Sequence, residues 1–152
     1  MAWRHFATAA MLAALVGAGA ALAHSGATGI VKQRMDAMSA IGDDMKKIGL
    51  KLRGSAPFDA GQAQAAARAI AHHASHMDTL FPPGSLSPPT EALPAIWDNW
   101  DEFAGLTEAL NRRADGLAQL AGSGASEAEI AAQFQALGKT CSACHEKFRI
   151  KK

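Results

Sequence analysis

The sequence predicts an all-α protein, an antiparallel up-down-up-down four-helix bundle that follows a short apolar leader. Three observations carry this. Four segments repeat apolar residues at steps of three and four, the period of one helix face. None of them alternates apolar and polar residues over a strand length, and no Asn-Gly or Asp-Gly turn joins two strand-like runs. Short breaks rich in Gly, Pro and Ser separate most of them, as between helices packed side by side.

The first segment carries Val31, Met35, Met38, Met45 and Leu52 on one stripe, and Gly54-Ser55-Ala56-Pro57 breaks it. The second opens at Asp59 with Gln62 three residues on, a capping pair in which Asp takes the place of Ser or Thr. Its stripe is Ala63, Ala67, Ile70, Ala74 and Met77. Phe81-Pro82-Pro83-Gly84 and then Pro88-Pro89 cannot continue a helix, because proline lacks the backbone donor and clashes with the preceding turn. The third runs Ile96, Trp100, Phe103, Thr107, Leu110, Ala114, Leu117 and Ala121, and ends at Gly122-Ser123-Gly124. The fourth starts at Ser126 with Glu129 in capping-box spacing. Ile130, Phe134, Leu137, Cys141, Cys144 and Phe148 then hold the same period.

Ahead of these, Arg4 precedes a nearly unbroken run of Ala, Leu, Met, Val and Gly that ends in Ala21-Leu22-Ala23. A short apolar run closed by a small-x-small site reads as a secretory signal over 1–23, with His24 the first mature residue. The run is shorter than the ~20 residues that span a bilayer, so no membrane span is expected after cleavage. Residues 24–152 make one domain. Arg4 is the leader's one basic residue among the chain's 15, so 14 Lys and Arg face 14 Asp and Glu in the mature part. That balance gives no footprint for nucleic acid and no polybasic, membrane-seeking segment.

The chain has only two cysteines, too few for the disulfide framework of a small exported domain. They stand in Cys141-Ser142-Ala143-Cys144-His145, the C-x-x-C-H signature of covalent haem attachment. Residues three apart share a helix face, so both sulfurs can reach the vinyl groups along one porphyrin edge. The next residue is turned so that its imidazole reaches the iron. A redox C-x-x-C pair belongs near a βαβ pattern, which is missing here. A structural zinc site needs four ligands, and His145 directly after Cys144 points poorly for closing such a set.

With a leader, four helices and C-x-x-C-H close to the C-terminus, the chain resembles the class II c-type cytochromes, the cytochrome c′ family. Local similarity runs through Val31-Lys32-Gln33-Arg34, Ala56-Pro57-Phe58-Asp59, Ile96-Trp97 and Cys141 to Arg149. The resemblance implies a bundle that holds one covalently attached haem c, with Cys141 and Cys144 as thioether residues and His145 on the iron.

The open question is the other side of the iron. An up-down bundle sets the first and last helices antiparallel. His145 then lies about 7 Å from the bundle end and Met38 about 13 Å, at ~1.5 Å per residue; Met45 is ~10 Å further up. In the family an arginine is followed four residues later by the residue that faces the iron, which is methionine in the low-spin members. Arg34 and Met38 match that pair, so Met38 is the expected second axial ligand. Met35 is a weaker candidate, and so are His72, His73 and His76. His72 and His76, four apart, could chelate a surface metal or supply a bis-histidine haem, but both lie off the Ala67-Ile70-Ala74-Met77 stripe and are expected to face solvent. Arg34 is assigned by resemblance to a haem propionate. Trp97 and Trp100 are expected to wall the porphyrin, Phe148 to cover it, and Arg149 to serve the haem or screen His145.

These residues imply a periplasmic one-electron carrier that needs no substrate-transforming groups. Its expected partners are periplasmic or membrane redox proteins, with a homodimer possible. An open distal side would instead give a high-spin protein that binds nitric oxide or carbon monoxide.

Overall fold

A computed structural model describes residues 26–151; the expected leader 1–23 and mature start His24 lie outside the described residues. Four long helices make the bundle: α1 (Gly29–Leu52), α2 (Ala60–Ala74), α4 (Trp100–Gly122) and α5 (Glu127–Phe148). A 3-10 turn, Asp78–Leu80, and the one-turn helix α3, Ala95–Asp98, lie in the long connection between α2 and α4. No strand occurs among the described residues beyond an isolated antiparallel bridge between Ala92 and Arg149. α1 packs on α2, α2 on α4 and α4 on α5, while α1 and α5 close the ring only sparsely. That thin seam positions the site.

Local chemistry sets the helix starts. Ser126 Oγ accepts the Glu129 N–H, and Glu129 Oε2 accepts the Ser126 N–H at 2.9 Å, a complete capping box. Asp59 accepts both the backbone and the side-chain amide of Gln62, at 2.9 and 2.7 Å. At the end of α1, Gly54 takes φ +76°, which lets the Gly54 and Ser55 N–H groups reach Lys51 O and Leu50 O.

Ala63, Ala67, Ile70 and Ala74 of α2 are buried as expected, against Ala114, Leu117 and Ala121 of α4. The small side chains let these two helices approach closely. Two expectations need correction. The third segment is not one helix, because it breaks at Asn99 (φ −133°, ψ 45°). There the Asn99 side-chain amide donates to Ala95 O at 3.0 Å, and a short polar side chain competing for backbone acceptors ends the first turn. The break keeps Ile96 and Phe103 inside but leaves Trp100 38% exposed. In α1 the buried stripe is Val31, Arg34, Ala37, Ile41 and Ile48. Met35, Met38 and Met45 stand beside it, half-buried, on the wall of a cleft.

Candidate functional site

The cleft opens where α1 and α5 part. Its volume is about 610 Å³, within the range of sites that enclose a small molecule or cofactor. Met35, Met38 and Met45 line it from α1, Phe103, Leu106 and Leu110 from α4, and Cys141, Cys144, His145 and Phe148 from α5. A mostly apolar wall interrupted by two thiols and an imidazole suits a flat, largely apolar macrocycle with a metal at its centre.

Cys141 and Cys144 are half-buried free thiols on one face of α5. Burial raises both pKa values, and the neighbouring Cys141 adds to the rise at Cys144, which is pushed up to about 11. Redox-active cysteine pairs show the opposite, a lowered pKa in an electropositive setting. Burial thus disfavours the thiolate that exchange chemistry needs. His145 reaches solvent at the cleft mouth, yet desolvation by the surrounding protein lowers its pKa. The Arg149 charge lowers it further, and Glu91 acts in the other direction. The net fall favours a neutral imidazole, the form that donates to a metal.

Two contacts fix how α1 and α5 are matched. A Cβ added to Gly49 would stand 3.3 Å from Phe134 Cζ, and one added to Gly138 would stand 3.9 Å from Met45 Cε. Four residues down α1, from Gly49 to Met45, are answered by four residues up α5, from Phe134 to Gly138. The helices are thus antiparallel and in step. Seven more residues, about two turns, lead from Met45 to Met38 and from Gly138 to His145, on the same faces. That register, carried on along both helices, would bring Met38 towards the level of His145; both line the cleft, and Met45 lies a further ~10 Å along α1.

Phe148 is buried on the cleft wall, its ring perpendicular to Phe103 at 5.5 Å. Arg149 also lines the cleft and pairs with Glu91 at 2.7 Å. Leu93 N donates to Phe148 O and Ile150 N to Glu91 O, both at 2.9 Å, which clips the segment 91–93 to the end of α5 beside His145. Sequence reasoning missed Glu91 and Thr90 on this wall, because a connection without period carries no sign of which residues turn inward.

Trp97 is not on the cleft wall. Its indole N–H donates to Phe81 O at 3.0 Å and so holds the connection after α2; Ile96 and Phe103 occupy the wall in its place. Trp100 leans on the Phe103 ring from outside.

Arg34 lies on the wall, but its guanidinium turns into that same connection. Nε and Nη2 donate to Leu80 O at 3.1 and 2.9 Å, Nη1 to Ser85 O and Thr90 Oγ1 at 3.2 and 3.0 Å, and Nη2 to Ser85 Oγ at 2.6 Å. Its centre lies 4.0 Å over the Phe81 ring. All five N–H donors are thereby engaged within the protein. A buried cation requires acceptors, and the loop supplies them. Arg34→Met should lower unfolding stability by about 2–4 kcal/mol, since carbonyls at Leu80 and Ser85 lose their donors. Arg34→Lys should recover only part of that, because an ammonium cannot reproduce the fork. Full recovery in urea titrations would show that the fork geometry is irrelevant.

An all-helical bundle with a paired-thiol and imidazole face against an apolar cleft defines a c-type haem protein. Over residues 29–149 the chain matches the family model described as Cytochrome C′. It belongs to the cytochrome c′ family, whose cofactor is covalently bound haem c. Cytochrome c-556 of Agrobacterium fabrum (strain C58 / ATCC 33970) is 37% identical over 145 residues, which cover 95% of this chain and 94% of that one. Cytochrome c′ from Rhodopseudomonas palustris superposes with a TM-score of 0.76 at 31% identity, over 83% of this chain and 99% of that chain. A nitric oxide complex of a variant cytochrome c′ from Alcaligenes xylosoxidans does so with a TM-score of 0.73 at 26% identity, over 80% and 94%.

Proposed function

We propose that this chain is a periplasmic one-electron carrier in which His145 and Met38 would hold the haem iron. The observation that supports this reading is that Met38 of α1 and His145 of α5 line the same cleft, together with both cysteines. When bound, the haem supplies a one-electron iron couple. Cys141 and Cys144 tether it, and the lowered pKa of His145 keeps that ring neutral for donation. Met38 offers a soft sulfur, which favours the reduced metal. Phe103 and Phe148 keep water from the inner wall.

The apolar leader supports export, and no described helix is long and apolar enough to cross a membrane. A periplasmic or membrane redox protein is the partner this role requires, and self-association into a homodimer is compatible with it.

The comparisons favour a second reading over this one, since the solved structural relatives are cytochromes c′ and one of them is a nitric oxide complex. In that reading Met38 only walls the distal side, and the protein binds a small gas. Absorption spectra of the reduced holoprotein separate the two. Sharp, split visible bands that ignore carbon monoxide support electron transfer. A broad high-spin spectrum that shifts on carbon monoxide supports gas binding and removes the methionine–iron bond.

A further inference from the structure

Three histidines crowd the end of α2, away from the haem cleft. His72 and His73 lie in its last turn and His76 just beyond it. His72 and His76 are exposed, with ring centroids 5.6 Å apart. The turn that follows α2 thus brings the two rings within reach of one ion. Ser75 also ties the two residues together. The Ser75 hydroxyl has one hydrogen and donates it to His72 O at 2.8 Å. Ser75 Oγ stands 3.1 Å from His76 Nδ1 and can only accept there. Held through Nδ1 in this way, His76 would have Nε2 left for a metal. Metal-binding imidazoles are held in this way, with the second ring nitrogen donating to a fixed oxygen.

We propose that His72 and His76 chelate a divalent transition metal ion of the zinc, nickel or copper class, through His76 Nε2 and a ring nitrogen of His72, with water completing the shell. Imidazole is a preferred donor for these ions. No group of three or more His, Cys, Asp or Glu side chains is arranged to hold a metal among the described residues. The site is thus a two-ligand, open one, unlike a closed structural zinc centre. His73 is half-buried, with its ring 5.9 Å from that of His72, and adjacent helix positions do not face each other. The inner side of the same turn is Ala74 and Met77, both buried, and Met77 lines the haem cleft. The ion would sit outside the wall whose inner surface faces the haem.

Calorimetric titration of the haem-loaded protein with zinc chloride tests this. One zinc ion per chain is expected. His72→Gln and His76→Gln should each weaken binding by on the order of a hundredfold, because the second donor's effective concentration is lost. Ser75→Ala should weaken it by up to about tenfold, and His73→Gln should leave it unchanged. An unaltered visible haem spectrum shows that the variants are folded. In the unmutated protein, zinc should protect His72 and His76 from acylation by diethyl pyrocarbonate, read by peptide mass mapping. Zinc affinity that survives either His72→Gln or His76→Gln, or no binding by the wild type at millimolar zinc, overturns the proposal.

Discussion

Serine at both Cys141 and Cys144 should yield a mature chain whose denatured mass carries no tetrapyrrole, even when it is made with a complete haem-attachment machinery. A hydroxyl does not form the thioether, so the bond to the porphyrin edge is lost outright. Each single serine variant should retain covalent haem at reduced yield, because one sulfur still reaches its vinyl group. The consequence extends to the fold. Removing buried volume costs about 24 cal/mol per Å³ of cavity that stays empty. A dry cleft of 610 Å³ would then cost on the order of 15 kcal/mol, as much as the whole stability of a typical domain at ~5–15 kcal/mol. The haem-free chain must flood the cleft or close it. Amide exchange should therefore quicken most in the first turns of α1 and the last turns of α5. A tetrapyrrole mass retained by the double variant under denaturing conditions would remove the basis of the site.

What could be read from the chain depended on the range of each signal. The Ser126 and Glu129 capping box and the C-x-x-C-H motif are both complete within five residues, and the fold keeps each where it stands. The stripes of α2 and of the later part of α4 also needed only their own helix. Arg34 was opaque for the opposite reason. Its acceptors lie 46 to 56 residues away, in a proline-rich connection with no period. Trp97 lies in α3, which the Asn99 break separates from α4, and a single Asn inside an otherwise helical pattern is a weak stop signal. The methionines of α1 were half legible. Their period marked a common face, but periodicity alone does not say whether a face meets another helix or a cofactor. The structure shows both at once: Ile48 is buried in the core, Ile41 is buried yet also lines the cleft, and Met35, Met38 and Met45 line the cleft half-buried.

Met38→Ala is the sharper test of the proposed ligation, and its expected result is a change of spin state. With the thioether removed, the reduced protein should lose its split visible bands and bind carbon monoxide. The midpoint potential should fall, because thioether sulfur favours the reduced iron. A tenfold to hundredfold weaker preference for that state is about 60–120 mV at ~59 mV per tenfold for one electron. Met35→Ala and Met45→Ala are the controls. Met35 is three residues nearer the helix start, and Met45 is placed beside Gly138, about two turns from the level of His145. Both line the same cleft, so a general loosening of the wall would act through all three. A spectral change confined to Met38→Ala isolates a bond to the iron from mere packing. Conversion by Met35→Ala instead would move the ligand one turn along α1. A wild type that already binds carbon monoxide, and binds it faster once Met38 is alanine, would make Met38 a gate over an open iron and return the protein to gas binding.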